Sequence, residues 1–161
     1  MLILIMGVSG AGKSTVGSAL ARELGWVFLD ADEFHPAANI AKMAAGQPLD
    51  EADRQPWLAA LRQRLAFHDR REENVVLACS ALKEAHRAQL TGAVADAAVV
   101  FLAADPELID DRLARRTGHF MSPKLAESQF DALEPPRTAV VLDPSLPRDE
   151  LVRRIRSTLA V

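Results

Sequence analysis

The chain has 161 residues, 49% of them hydrophobic and 25% charged, with a formal net charge of −3. That length suits one domain with its own core and is too short for two comfortable ones. The mild acidity argues against bulk nucleic-acid or anionic-membrane binding, and a single cysteine, Cys79, excludes an internal disulfide framework and suits a reducing compartment.

The chain begins MLILIMGVSGAGKST. LILIM reads as a buried strand, and STVGSALAREL as a helix whose Val16, Leu20 and Leu24 share one face. No leader peptide is expected, since the apolar run enters a glycine loop at once. The longest later apolar stretch, AVADAAVVFLAA, is too short for a bilayer, so no membrane partner is expected and the cytoplasm is the expected location. The loop itself, Gly7 to Ser14, fits G-x-x-x-x-G-K-[ST]. In that pattern Gly7, Gly10 and Gly12 let the backbone turn, so that N–H groups along the stretch, Ala11 included, cradle phosphate oxygens. Lys13 would reach the β- and γ-phosphates, and the Ser14 hydroxyl would sit on Mg²⁺. A strand before the loop and a helix after it are the setting this mechanism needs. A nucleotide, with ATP and Mg²⁺ as the candidates, is therefore expected here.

WVFLD reads as the second strand, ending at Asp30. Two residues on stands Asp32, and alternation along an extended segment puts both carboxylates on one face at the strand edge where open α/β sheets bind ligands. Asp30 is a candidate for the metal shell and Asp32 for the proton of an acceptor hydroxyl; a strand-end cap and turn is the plainer alternative. His35-Pro36 starts the next helix, with His35 either a cap or a substrate contact. Arg54 stands among Asp50, Glu51 and Asp53, where a surface ion pair is its plain reading, and Trp57 is expected in the core. Leu58, Leu61 and Leu65 form a helical stripe.

NVVLAC is the third strand, with Cys79 as a small core residue. After it, Ser80 is a candidate cap, Lys83 and Arg87 form a same-face cationic pair, and His68 and His86 are expected on the surface. AAVVFLA is the fourth strand. In DRLARRTGHFMSP, Asp111 and Arg115 stand at i, i+4 and can pair, whereas Arg112 and Arg116 are like charges on one face. With Gly118 behind them, the arginines read either as a mobile lid over phosphates or as a cationic helix end that suits its own dipole. SPKLAESQFDAL carries a Ser cap and a first-turn proline. TAVVLD is the fifth strand, and Leu151, Ile155 and Leu159 form a last stripe behind Pro147. Five continuous apolar strands alternating with amphipathic helices predict a single α/β domain, a parallel sheet with both faces covered.

With these residues in view, the sequence resembles the gluconokinase family of small P-loop kinases. The likeness is carried by GVSGAGKST, DADEFHPAANIAKMAAGQPLDEADRQPWL, CSALK, RLARRTGHFM and SQFDALEPP, in that order over nearly the whole chain. It implies transfer of a phosphoryl group from ATP to D-gluconate, giving 6-phospho-D-gluconate, with Mg²⁺. The implied fold is adenylate-kinase-like with a small lid around residues 112–124, often as a homodimer. It puts Gly10, Gly12, Lys13, Ser14 and Thr15 in the ATP-phosphate loop. On the acceptor side it puts Asp32, His35, Arg54 and Lys83, with Asn39 a lesser candidate, and it makes Arg112 and Arg116 lid arginines. Ala31 stands where the family commonly has glycine. A guanidinium binds a carboxylate in bidentate fashion, so Arg54 is the first candidate for the gluconate carboxylate. Other acceptors, shikimate, a nucleoside monophosphate or dephospho-coenzyme A, remain alternatives within the fold, as does a nucleotide-dependent switch without an acceptor.

Overall fold

The computed structural model describes residues 1–114 and 123–161. Five strands, β1 (Leu2–Met6), β2 (Val27–Asp30), β3 (Val75–Ala78), β4 (Ala97–Leu102) and β5 (Val140–Leu142), form one parallel sheet in the order β2-β3-β1-β4-β5. All five coincide with the apolar runs expected: β1 is LILIM itself, and the other four are shortened by a residue or more at their ends. The helices are α1 (Lys13–Leu24), α2 (Ala37–Ala44), α3 (Glu51–Asp69), α4 (Glu84–Thr91), α5 (Pro106–Ala114), α6 (Pro123–Asp131) and α7 (Arg148–Leu159).

The central strand is fully buried and shows why the strands are continuously apolar. Leu2, Leu4 and Met6 face one side with Trp57, Leu58, Leu61 and Leu65 of α3 and Leu90 of α4. Ile3 and Ile5 face the other, with Val16 and Leu20 of α1 and Leu151 and Ile155 of α7. Burial of each of these large side chains contributes about 1.5–3 kcal/mol before entropy is counted. Gly17 permits the close seat of α1 on β2, since a Cβ there would stand 2.8 Å from the Phe28 ring.

Four expectations are corrected. The chain is not extended through Asp32: it leaves β2 at Asp30 and turns at once into a 3-10 helix, Ala31–Phe34, with the Asp30 carboxylate as its cap. His68 and His86 are buried, not on the surface; each has a carboxylate partner, Glu73 at 2.7 Å and Glu51 at 3.0 Å, that makes burial tolerable. Ser80 does not cap α4. Its first turn is held instead by the Glu134 carboxylate, which accepts from the Glu84 N–H at 2.7 Å. Lys83 and Arg87 do not share a cationic face: Arg87 is buried, donating to the carbonyls of Ala81 and Leu82 and pairing with Glu84. The Arg115–Asp111 pair, Arg116, Gly118 and most of the expected lid lie outside the described residues.

Candidate active site

The loop after β1 takes the shape its glycines were expected to give. Gly10 and Gly12 have φ of 84° and 98°, in the left-handed region that favours glycine. At Gly7, with φ of 147°, a Cβ would lie 2.8 Å from the Leu102 carbonyl oxygen, so the loop passes directly over the end of β4. Gly12 is the N-cap of α1 without side-chain capping, which leaves the first-turn N–H groups of α1 directed at the loop. Lys13 folds back and donates to the Val8 carbonyl at 3.0 Å. Ser14 and Thr15 are exposed in the first turn of α1. Ser14 offers a hydroxyl and Asp30, at the next strand end, a carboxylate. Such oxygen donors are what Mg²⁺ takes, so the residues present fit that ion.

Arg112, from the last turn of α5, binds this loop from its own side. Its Nη1 donates to the carbonyls of Gly10 (3.0 Å) and Ala11 (3.1 Å), and its Nη2 to that of Pro144 (2.5 Å). From the opposite direction α6 sends Gln129, whose Oε1 accepts from the Ser9 N–H at 2.6 Å.

A cavity of about 460 Å³ opens beside the loop. Lys13, Asp32, His35, Arg54, Lys83 and His86 are among the residues that line it. The start of α3 is built to present Arg54. Asp50 and Asp53 cap it reciprocally, each side chain accepting from the other's N–H at 2.8 and 2.9 Å. Lys42 then ties α2 to this corner, its Nζ 2.5 Å from Asp53, and the ammonium holds the Asp53 carboxyl below its usual range. At the first residue of α3, Glu51 gathers three basic groups of the cavity. Its Oε1 accepts from Lys83 at 2.7 Å and from Arg54 at 3.3 Å, and its Oε2 pairs with His86 at 3.0 Å. Lys83 first, then His86, depress its carboxyl to about 2.

His35 is held in the cavity lining by aromatic and amide contacts. Trp57 Nε1 donates to the Ala31 carbonyl at 2.7 Å, and the His35 ring stacks on Trp57 with centroids 4.6 Å apart and planes 8° from parallel. Trp57 is thus both core, as expected, and a platform for His35. Burial lowers the His35 pKa, against the pull of Asp32, and Arg54 lowers it further. Asn39 is buried on the far side of the imidazole, donating to the Asp53 carbonyl at 2.8 Å with His35 Nδ1 at 3.4 Å. Ala31 is fully buried without a positive φ, so its methyl fits among Trp57 and the β1 side chains. Cys79, also fully buried, has its thiol pushed up to about 12 by desolvation, which makes it a core residue and no nucleophile.

The sequence therefore named Lys13, Asp32, His35, Arg54 and Lys83, and the fold brings all five to one cavity. It passed over Glu51, His86 and Gln129. Glu51 had been read only as one of several acids near Arg54; the i, i+3 spacing of the two was the available signal. Gln129 stood inside the SQFDALEPP stretch without a role of its own.

A phosphate loop of this form beside a polar acceptor cavity, on a parallel sheet of this order, defines a P-loop kinase. Residues 2–139 match a family described as an AAA domain. The chain is 46% identical to the probable gluconokinase of Xenopus tropicalis, over 84% of this chain and 80% of that one. It is 41% identical to the gluconokinase of Gluconobacter oxydans, over 96% and 91%. A gluconokinase from Sinorhizobium meliloti has the same fold in its crystal structure, with a TM-score of 0.88 and 43% identity over 98% of this chain and 90% of that one. The chain belongs to the gluconokinase family.

Proposed function

We propose that the cavity between the phosphate loop and the start of α3 is the gluconate site, with Asp32 at its reacting end and Arg54 and Lys83 at its carboxylate end. The protein is an ATP-dependent kinase that phosphorylates gluconate. One observation carries the assignment of the site: Lys13, Asp32 and the Arg54–Lys83 pair line a single cavity. Gluconate is a carboxylate at one end and a primary alcohol at the other, and this cavity is lined both by cations and by a carboxylate that suit those ends.

In this reading the ATP phosphates lie along Gly7–Thr15, held by backbone N–H groups and by Lys13. Ser14 and Asp30 would hold Mg²⁺ from the protein side, and the ion would supply charge neutralisation for the phosphates. Asp32 orients the primary hydroxyl and accepts its proton as the phosphoryl group transfers; a loose transition state demands little earlier deprotonation. Arg54 and Lys83 fix the other end of the substrate, so that the hydroxyl is presented in line. Arg112 holds the loop's carbonyls. Arg116, through the family resemblance, joins it as a lid arginine that stabilises charge on the transferred group. The chain acts as one kinase domain with residues 112–124 as lid, in the cytoplasm where ATP is supplied, and as the homodimer the resemblance implies.

The test is ADP release across a panel of acceptors: gluconate, related aldonates, shikimate and nucleoside monophosphates. Gluconate-dependent release that a folded Lys13→Ala protein lacks is the expected result. Equal release without any acceptor would leave only a hydrolysing switch.

A further inference from the structure

The Asn39 side chain bears on the protonation of His35. Its Nδ2 stands 2.8 Å from the Asp53 carbonyl oxygen, which can only accept, so that atom is the amide nitrogen. The second proton of the same nitrogen is directed at His35 Nδ1, 3.4 Å away. A nitrogen that receives a proton donor carries no proton itself, so the ring's own N–H is on Nε2. The packing around the ring favours this state. Stacking on Trp57 fixes the plane, and Trp57 is fixed in turn by its bond to Ala31. Burial disfavours the imidazolium. Of the charged groups that face the ring, Asp32 favours protonation and Arg54, from α3, opposes it. Nε2–H has no acceptor among the described residues, and His35 lines the cavity.

We propose that Asn39 is a positioning residue that holds His35 as the neutral Nε2–H tautomer, so that His35 donates a hydrogen bond to a substrate hydroxyl oxygen and takes no proton from it. The donor role rests on the cavity being the gluconate site; the tautomer does not. The consequence is a division of labour in the cavity: Asp32 is an acceptor and His35 a donor. A hydroxyl can both donate and accept, so a fixed acceptor and a fixed donor set the direction in which a bound hydroxyl's proton points, and a histidine free to exchange tautomers would not.

Long-range ¹H–¹⁵N correlation spectra of the histidine rings in the full-length protein read the tautomer directly. In the free protein His35 is expected to show an unprotonated Nδ1 and a protonated Nε2, and to titrate below the ordinary 6.5. Addition of gluconate should shift the Nε2–H resonance while Nδ1 stays unprotonated. Asn39→Asp replaces the donor at Nδ1 with an acceptor. It should protonate Nδ1, raise the pH at which the ring titrates, and raise the gluconate KM about tenfold, the scale of one misdirected hydrogen bond, with the KM for ATP unchanged. A wild-type ring protonated on Nδ1, or an Asn39→Asp ring that titrates as the wild type does, overturns the proposal. The wild-type spectrum decides alone should the variant not fold. A free-protein spectrum of the expected form that gluconate leaves unchanged removes the donor role and so overturns the proposal; the assignment of the cavity falls only if Arg54→Lys also keeps the wild-type KM for gluconate.

Discussion

Glu51 Oε1 and Lys83 Nζ lie 2.7 Å apart, and the same oxygen also accepts from Arg54 at 3.3 Å, so one carboxylate holds together the two cations proposed for the substrate carboxylate. The carboxyl of Glu51 is depressed to about 2 from an ordinary 4.5. A depressed carboxyl adds stability that is fully present above pH 4.5 and is lost as pH falls towards 2. Glu51→Gln should therefore be less stable than wild type at neutral pH, by an amount that stays constant down to about pH 4.5 and shrinks between there and pH 2. Urea unfolding at a series of pH values measures this; a difference that does not change with pH would remove the ion pairs from the account.

Asp32→Asn keeps the size of the side chain but removes its charge and basicity. Loss of a general base costs roughly 10²–10⁴-fold in kcat, and a fall in that range is expected. ATP binding without gluconate should change little. Weak ATP binding with near-normal kcat at saturation would instead move Asp32 into the metal shell and make Asp30 the candidate base.

Arg54→Lys retains a positive charge that Glu51 can still hold, but loses the planar fork that grips a carboxylate through two parallel bonds. The KM for gluconate should rise and that for ATP should not. Steady-state kinetics with each substrate varied decides the matter, and an unchanged gluconate KM would assign the carboxylate to Lys83.

Arg112→Ala leaves the carbonyls of Gly10, Ala11 and Pro144 without their shared donor. Hydrogen bonds from a charged group are worth about 1.5–3 kcal/mol, so both Tm and kcat should fall and the KM for ATP should rise with the loosened loop. A lower kcat with Tm and the ATP KM unchanged would make Arg112 purely a transition-state group.

The strands and the phosphate loop were legible because their signals are local. A run such as LILIM can be buried only where both sheet faces are covered, and the loop glycines sit where φ must be positive. The bond that converts Asp32 from strand to 3-10 turn is local too, but alternation cannot see it, since Asp30 captures the Asp32 N–H at 3.1 Å with its own side chain. What stayed hidden depends on contacts far apart in sequence. His86 looks like a surface residue on its helix and is buried because Glu51 reaches it from a helix 35 residues earlier. Glu134 caps a helix that begins 50 residues before it, which displaced the nearer candidate, Ser80. His35 and Arg54 were recognisable through the family's motif; the amide and indole that orient His35 were recognisable only once Asn39 and Trp57 had been placed.

The stacking of His35 on Trp57 also has an optical consequence. The chain has two tryptophans. Trp26 precedes β2 at the sheet's other end and packs against the core shared by α1 and α7. Trp57 alone lies in the cavity wall. In a Trp26→Phe protein the whole indole emission would come from the acceptor cavity, quenched or released as the imidazole above it gains a proton or a ligand enters. Occupancy of the cavity then becomes a signal that can be followed within a single turnover, with no label attached.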